Sequence, residues 1–126
     1  MVGKDVVALL SESLRRKKMG FINVVALAND TVGTLMAKRY SEPLCDMGVI
    51  IGTGTNACYP ENVARILKYP GPGQSGEMVI NMEWGGFSKL KTNVYDQGLD
   101  KASHNAGMQH LEKMDSGMYL GEITRR

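Results

Sequence analysis

The chain is short of several things, and each shortage closes off a class of protein. Its longest apolar runs, such as Val24 to Ala28 and Val49 to Ile51, fall far below the roughly 20 residues that a membrane-spanning helix needs. The start, Met1-Val2-Gly3-Lys4-Asp5, lacks the hydrophobic region of a signal peptide. Only Cys45 and Cys58 are present, with no CxxC spacing and no companion histidine pattern, so neither a disulfide framework nor a metal site is expected. These absences predict a soluble protein of a reducing, cytoplasmic compartment, with no membrane partner. An excess of one charge is missing too: the formal net charge is +2. The one basic cluster, Arg15-Arg16-Lys17-Lys18, reads as the last turn of a helix, where cations complement the macrodipole, and no nucleic-acid partner is expected. There is no internal repeat or low-complexity tract. What remains, with 43% hydrophobic and 22% charged residues, is the composition of a globular domain. A chain of 126 residues ordinarily buries about two-thirds of its unfolded surface, so a sizeable core is expected.

Val6, Val7, Leu10 and Leu14 recur at helical spacing and predict a helix through Lys18 with one buried face. After Gly20, the run Phe21 to Ala28 suits a strand covered on both sides. Asn29-Asp30-Thr31 then offers N-cap residues to a second helix carrying Val32, Leu35, Met36 and Tyr40 and ending before Pro43, so Asp30 is expected where a strand becomes a helix. Met47 to Ile51 reads as a second buried strand, running into the turn Gly52-Thr53-Gly54-Thr55. Lys68 to Gly76 reads as an exposed loop, Met78 to Trp84 as a third strand ended by Gly85-Gly86, and the residues from Gly107 to the C-terminus as one continuous helix. That last helix is still running at Arg125-Arg126. The nine methionines fall at spacings that fill a core. Helices alternating with apolar strands predict an α/β fold around a central sheet.

Few residues offer chemistry. Asp30 is held at an element junction, a good place for a base, although an Asp there is also a common helix cap. Gly52-Thr53-Gly54 could hold phosphate oxygens on its backbone N–H groups and hydroxyl. Gly52, Gly54 and Ala57 also satisfy the spacing of a dinucleotide fingerprint, but that motif needs a helix to open at the turn, and Asn56-Ala57-Cys58-Tyr59-Pro60 is a poor helix start. No Lys-Ser/Thr pair follows the glycines, so a Walker A loop is excluded. Asn56, Glu83 and Glu112 are amide and carboxylate groups of the kind that fix sugar hydroxyls, though singly each reads first as a surface or capping group. His104 and His110 carry no ligand spacing and read as exposed or structural.

Four ordered segments carry a resemblance: Val24 to Thr34, Gly48 to Tyr59, Ile80 to Gly85, and Leu111 to Met114 followed by Ser116 to Glu122. Together they resemble the central motifs of hexokinases, and the likeness covers the chain from about Gly3 to Arg125. The resemblance implies an actin-like, ribonuclease-H-like fold, with residues 1–28 belonging to the small domain and 29–126 to the large one. It implies that Asp30 is the general base taking the proton from a hexose 6-hydroxyl as that oxygen attacks the γ-phosphoryl of ATP, supplied with Mg2+. It further implies that Asn29, Asp30, Asn56, Glu83 and Glu112 contact sugar hydroxyls, and that Gly52 and Thr53 approach the ATP phosphates. Two departures stand out: Ala106-Gly107 replaces the family's usual Pro-Gly, and Leu90 to Asp96 lacks a proline and a threonine common there.

An upstream Asp-Leu-Gly-Gly-Thr phosphate motif, the small-domain Ser, Thr and Lys contacts and a downstream adenosine-binding region are not found in the sequence. The expectation is therefore an incomplete hexokinase, inactive alone and prone to self-association through an exposed half-core or to partnership with the missing segments. A non-catalytic, sugar-sensing relative is the alternative.

Overall fold

The computed structural model describes residues 3–69, 71 and 75–126. The order of elements is α1 (Val6–Arg16), α2 (Asp30–Arg39), β1 (Gly48–Ile51), β2 (Thr55–Asn62), β3 (Glu77–Asn81), α3 (Val94–Ala102), α4 (His110–Asp115) and α5 (Gly117–Arg125). Short 3-10 turns, Val63–Arg65 and Trp84–Gly86, follow β2 and β3.

The three strands form an antiparallel sheet in the order β1-β2-β3. Ile51 pairs with Thr55, so β1 and β2 are joined by the three-residue loop 52–54. This hairpin bears out the rejection of a dinucleotide fingerprint, because the turn leads into a strand rather than a helix. β2 was not expected as a strand, since Pro60 lies inside it. Its geometry accommodates the proline: β1 ends at the Gly48–Cys58 pair, and the Ala57–Met82 and Val63–Gly76 bonds show that odd-numbered β2 residues bond β3. Pro60 therefore presents its missing donor to the side where β1 has already ended.

Helix α2 is capped by Asn29, whose side chain accepts from Thr31 N at 2.9 Å, and it lies on the sheet through Thr31 and Leu35, both fully buried. Gly48 is the contact point. A Cβ there would stand 2.9 Å from both the Leu35 Cβ and the Thr31 carbonyl oxygen and 3.1 Å from the Cys58 sulfur. The Cys58 thiol donates to the same Thr31 carbonyl at 3.2 Å, and Arg39 pairs with Glu77 at 3.2 Å across to β3.

Sequence expectations for α3 were absent, yet Asn93 and Asp96 form a reciprocal capping box at its start. Helix α3 is tied to α4 by Asp100 and Lys113, 2.7 Å apart, with the lysine nearly fully buried. Lys113 also donates to the Asn105 carbonyl at 2.8 Å, and both Asp100 oxygens accept from Gly107 N at 3.0 Å. The Lys113 ammonium first, and the Gly107 N–H second, hold the Asp100 carboxyl below its usual range.

Several expectations need correction. Phe21 to Ala28 forms no strand, and Phe21, Val25 and Leu27 are 82%, 86% and 71% exposed. A strand exists only with a partner, and no described strand flanks this run, so Asp30 sits at a loop-to-helix junction. Helix α1 ends at Arg16, with Lys18 left-handed beyond it, and no α1 residue is buried. Only Gly48 of β1 is buried, because no described residue covers the outer face of that edge strand. β3 ends at Asn81 rather than Trp84, and the expected last helix is two helices broken at Ser116. The loop expected over 68–76 falls partly on residues 70 and 72–74, outside the described residues.

The apolar core among the described residues is correspondingly small: Leu35, Ala57, Cys58, Val63 and Leu99. The chain exposes 9687 Å² where about 6,600 Å² is typical of a compact monomer of its mass, and it buries only about half of its unfolded surface. Among the described residues, no helix is long and apolar enough to cross a membrane, and Cys45 and Cys58 are both free thiols.

Candidate functional site

A polar cleft of about 350 Å³ opens between the start of α2, the β1–β2 turn, the residues after β3, and α4. Its walls include Asn29, Asp30, Thr53, Gly54, Asn56, Glu83 and Glu112. Residues separated by as many as 83 positions in sequence are thus gathered around one space, because the hairpin and α2 pack together and α4 closes against them.

Asp30 is the first residue of α2, and the cap before it is Asn29. One Asp30 oxygen, Oδ1, accepts from Thr31 N at 2.8 Å, which orients the carboxylate, while Oδ2 has no protein partner among the described residues. The helix-capping task that Asp30 might have performed is done by its neighbour.

Glu112 enters from α4. Its Oε2 accepts from Thr55 N at 3.1 Å, and a Cβ at Gly54 would lie only 2.6 Å from that oxygen. Glycine at 54 leaves the carboxylate its seat. Thr55 is fixed in turn: its hydroxyl donates to the Ile50 carbonyl at 3.1 Å and accepts from the Trp84 indole at 3.0 Å.

Asn56 and Glu83 meet across β2 and the end of β3. The Asn56 amide nitrogen donates to Asn81 Oδ1 at 2.7 Å and to Glu83 Oε1 at 3.1 Å. Its oxygen accepts from Ala57 N at 2.8 Å and from Glu83 N at 2.9 Å. A side-chain amide has two donor hydrogens and two acceptor lone pairs, so Asn56 is fully engaged within the protein. Glu83 has left-handed backbone angles, φ 50 and ψ 50, a conformation that non-glycine residues adopt mainly where surrounding bonds impose it.

The turn 52–54 has a distinct polarity. Gly52 N donates to the Gly54 carbonyl at 2.8 Å, and the Gly52 and Thr53 carbonyls accept from Gly117 N and Met118 N of α5, at 2.7 and 3.3 Å. All three turn carbonyls are occupied, whereas the N–H groups of Thr53 and Gly54 have no protein partner among the described residues. Thr53 lines the cleft; Gly52 stands one residue back from its wall. His104 is exposed, and His110 lies outside the cleft against the Gly107 carbonyl at 3.1 Å. Among the described residues, no group of three or more His, Cys, Asp or Glu side chains gathers in a way that could hold a metal ion.

Sequence models of the hexokinase family match residues 46–126 and residues 1–40. The chain belongs to the hexokinase family. Hexokinase-3 of Rattus norvegicus is 52% identical to it over 128 residues, and hexokinase-1 of Homo sapiens is 48% identical over 130. Each match covers 98% of this chain but only 14% of the relative, so the chain spans about one-seventh of those hexokinases. Among solved structures, a hexokinase from Schistosoma mansoni complexed with glucose superposes with a TM-score of 0.84 at 39% identity, over 98% of this chain and 28% of that one. Another hexokinase crystal structure gives 0.80 at 44% identity, covering 26% of its chain. The chain therefore has the actin-like sugar-kinase fold, in part.

Two residues that brace the cleft were not singled out in the sequence. Asn81, the last residue of β3, bonds both Asn56 and Glu83, and Thr55 links Glu112 to the hairpin. Thr is an ordinary strand residue, and Asn81 stands at a strand's end. Only the spacing Asn81-x-Glu83, which returns both side chains to one face of an extended chain, hinted at the first.

Proposed function

We propose that this chain supplies the hexose-binding wall and the general base of an ATP-dependent hexokinase that phosphorylates glucose or a related hexose at the 6-hydroxyl. The observation that carries this reading is the Asp30 carboxylate, oriented through one oxygen and open at the other, in a cleft lined by further hydroxyl-binding groups. A solved relative bound to glucose supports the choice of sugar. In this reading Asp30 Oδ2 accepts the proton of the 6-hydroxyl while that oxygen attacks the γ-phosphorus and the bond to the ADP oxygen breaks. In a loose phosphoryl-transfer transition state, the carboxylate acts chiefly by holding the nucleophile in line.

Asn29, Glu83 and Glu112 each keep polar capacity for sugar hydroxyls. Asn56, fully engaged, meets a hydroxyl by exchanging one of its present bonds. ATP enters as its Mg2+ complex, with Gly52 shaping the turn and Thr53 offering an N–H and a hydroxyl to a phosphate oxygen. Bound with ATP, Mg2+ would neutralise charge on the phosphates, while the residues described contribute orientation and N–H donors. We assign residues 1–28 to the small domain and 29–126 to the large one, and the cytoplasm as the compartment, in keeping with two free thiols.

The apolar side chains left exposed, among them Phe21, Leu44 and Leu67, support association with further hexokinase segments or with a second copy. The test of function is Asp30→Asn in the full-length protein carrying this chain, followed by coupled detection of hexose 6-phosphate. Turnover should fall by about 10²–10⁴ while hexose still binds. Unchanged turnover would remove Asp30 from the chemistry. The 126-residue chain alone should give no turnover, since most of the phosphate cradle lies outside it.

A further inference from the structure

We propose that Asn81 is a positioning residue that aims the Glu83 carboxylate at a hexose hydroxyl; the inference rests on the hexokinase reading and deepens it. Asn81 does not line the cleft, yet it closes a three-membered ring of side chains behind it. Asn81 Nδ2 donates to Glu83 Oε1 at 2.7 Å, Asn56 Nδ2 donates to the same oxygen at 3.1 Å, and Asn56 Nδ2 also donates to Asn81 Oδ1 at 2.7 Å. Glu83 Oε1 is thereby held by two N–H groups, and Oε2 has no protein partner among the described residues. Bonds from neutral amides to a carboxylate are charge-assisted and short, so they fix a side chain that would otherwise sample several rotamers.

The ring also accounts for the backbone. Glu83 follows Asn81 by two residues and takes left-handed angles, which turn its N–H onto Asn56 Oδ1 at 2.9 Å. Asn81 itself is placed by the ladder, opposite Cys58, which is fully buried. The rigid part of the fold thus reaches the sugar-facing oxygen through one amide. Asn81 touches no reacting atom; its effect falls on how strongly, and with what hydroxyl preference, hexose binds.

The experiment uses the full-length protein carrying this chain, with calorimetric titration of glucose and of monodeoxyglucoses in the absence of ATP, and thermal melts as a folding control. Asn81→Ala should weaken glucose about tenfold, the loss of one charge-assisted bond's worth of orientation, with kcat within about twofold. The decisive readout is the deoxy series. One analogue, lacking the hydroxyl that Glu83 holds, should bind wild type and variant equally, while the others show the full loss. Asn81→Asp keeps the shape but sets an anionic oxygen against Glu83 Oε1, and it should bind glucose more weakly than Asn81→Ala. An equal penalty across every analogue, or wild-type affinity in folded Asn81→Asp, would overturn the proposal. Should Asn81→Ala fail to fold, Asn81→Asp decides alone. If the wild-type protein binds no hexose, the hexokinase reading falls and takes this one with it; if wild type binds and both variants bind as well, only the role of Asn81 falls.

Discussion

Helices α1 and α2 make an instructive pair. Helix α1 has the cleaner apolar stripe, yet Val6, Leu9 and Leu10 line an open groove and none of its residues is buried. Helix α2 has a weaker stripe and a glycine in its middle, yet Thr31 and Leu35 have no exposed surface, and its first turn carries Asp30. An apolar stripe states what a helix is able to bury. Whether burial occurs depends on a facing surface, and of the two only α2 has one among the described residues, the sheet face around Gly48 and Cys58. Precision at the site follows from that packing: Asp30 is aimed because the turn behind it is clamped.

The contrast is open to test, and the effects should fall in order. Leu35→Ala in the 126-residue chain should lower unfolding free energy by about 2–5 kcal/mol, read from chemical denaturation, because it empties a site with no exposed surface. Gly48→Ala forces a methyl against the Thr31 carbonyl and Leu35, and it should destabilise by about 1–3 kcal/mol; a neutral result would mean that α2 slides freely on the sheet.

Next comes a pH effect at the α3–α4 contact. The folded Asp100 carboxyl lies below its ordinary value of 3.8, so its contribution to stability is complete above that value and is lost as pH falls from 3.8 through the depressed folded value. Melts recorded across that interval should show a decline that Asp100→Asn reduces; the part that remains includes Glu122, whose carboxyl is also held low by Arg125. Smallest of all, Leu10→Ala on α1 should change stability by less than about 0.5 kcal/mol. A loss near that of Leu35→Ala would show that α1 finds a partner in solution, and light scattering would reveal whether that partner is a second copy.

How much was legible in advance follows the same physics. Asp30, Asn56, Glu83 and Glu112 could be singled out because each is a polar group beside an apolar run, and the cleft does bring them together. Helix α2 and strand β1 were legible from local signals, namely a cap and an apolar run ending at glycines. The run Phe21 to Ala28 misled because propensity reports what a segment tolerates, whereas a strand needs a partner. Strand β2 was hidden for the converse reason: Cys58-Tyr59-Pro60-Glu61-Asn62 has little strand character, but a three-residue loop delivers it to β1 at small entropic cost. The capping box of α3 was present in the sequence as Asn93 and Asp96 and could have been read. The break at Ser116 could not be read from periodicity, since the apolar spacing continues across it.

That break sets the character of the turn it touches. Because α5 begins anew at Gly117, its first N–H groups take up the Gly52 and Thr53 carbonyls from behind, and Gly54's carbonyl is folded back onto Gly52. Each of the three turn carbonyls thus receives a hydrogen bond from within the protein. The hairpin tip is left with two amide hydrogens, those of Thr53 and Gly54, that have no protein partner among the described residues, and the turn itself holds no lysine or arginine.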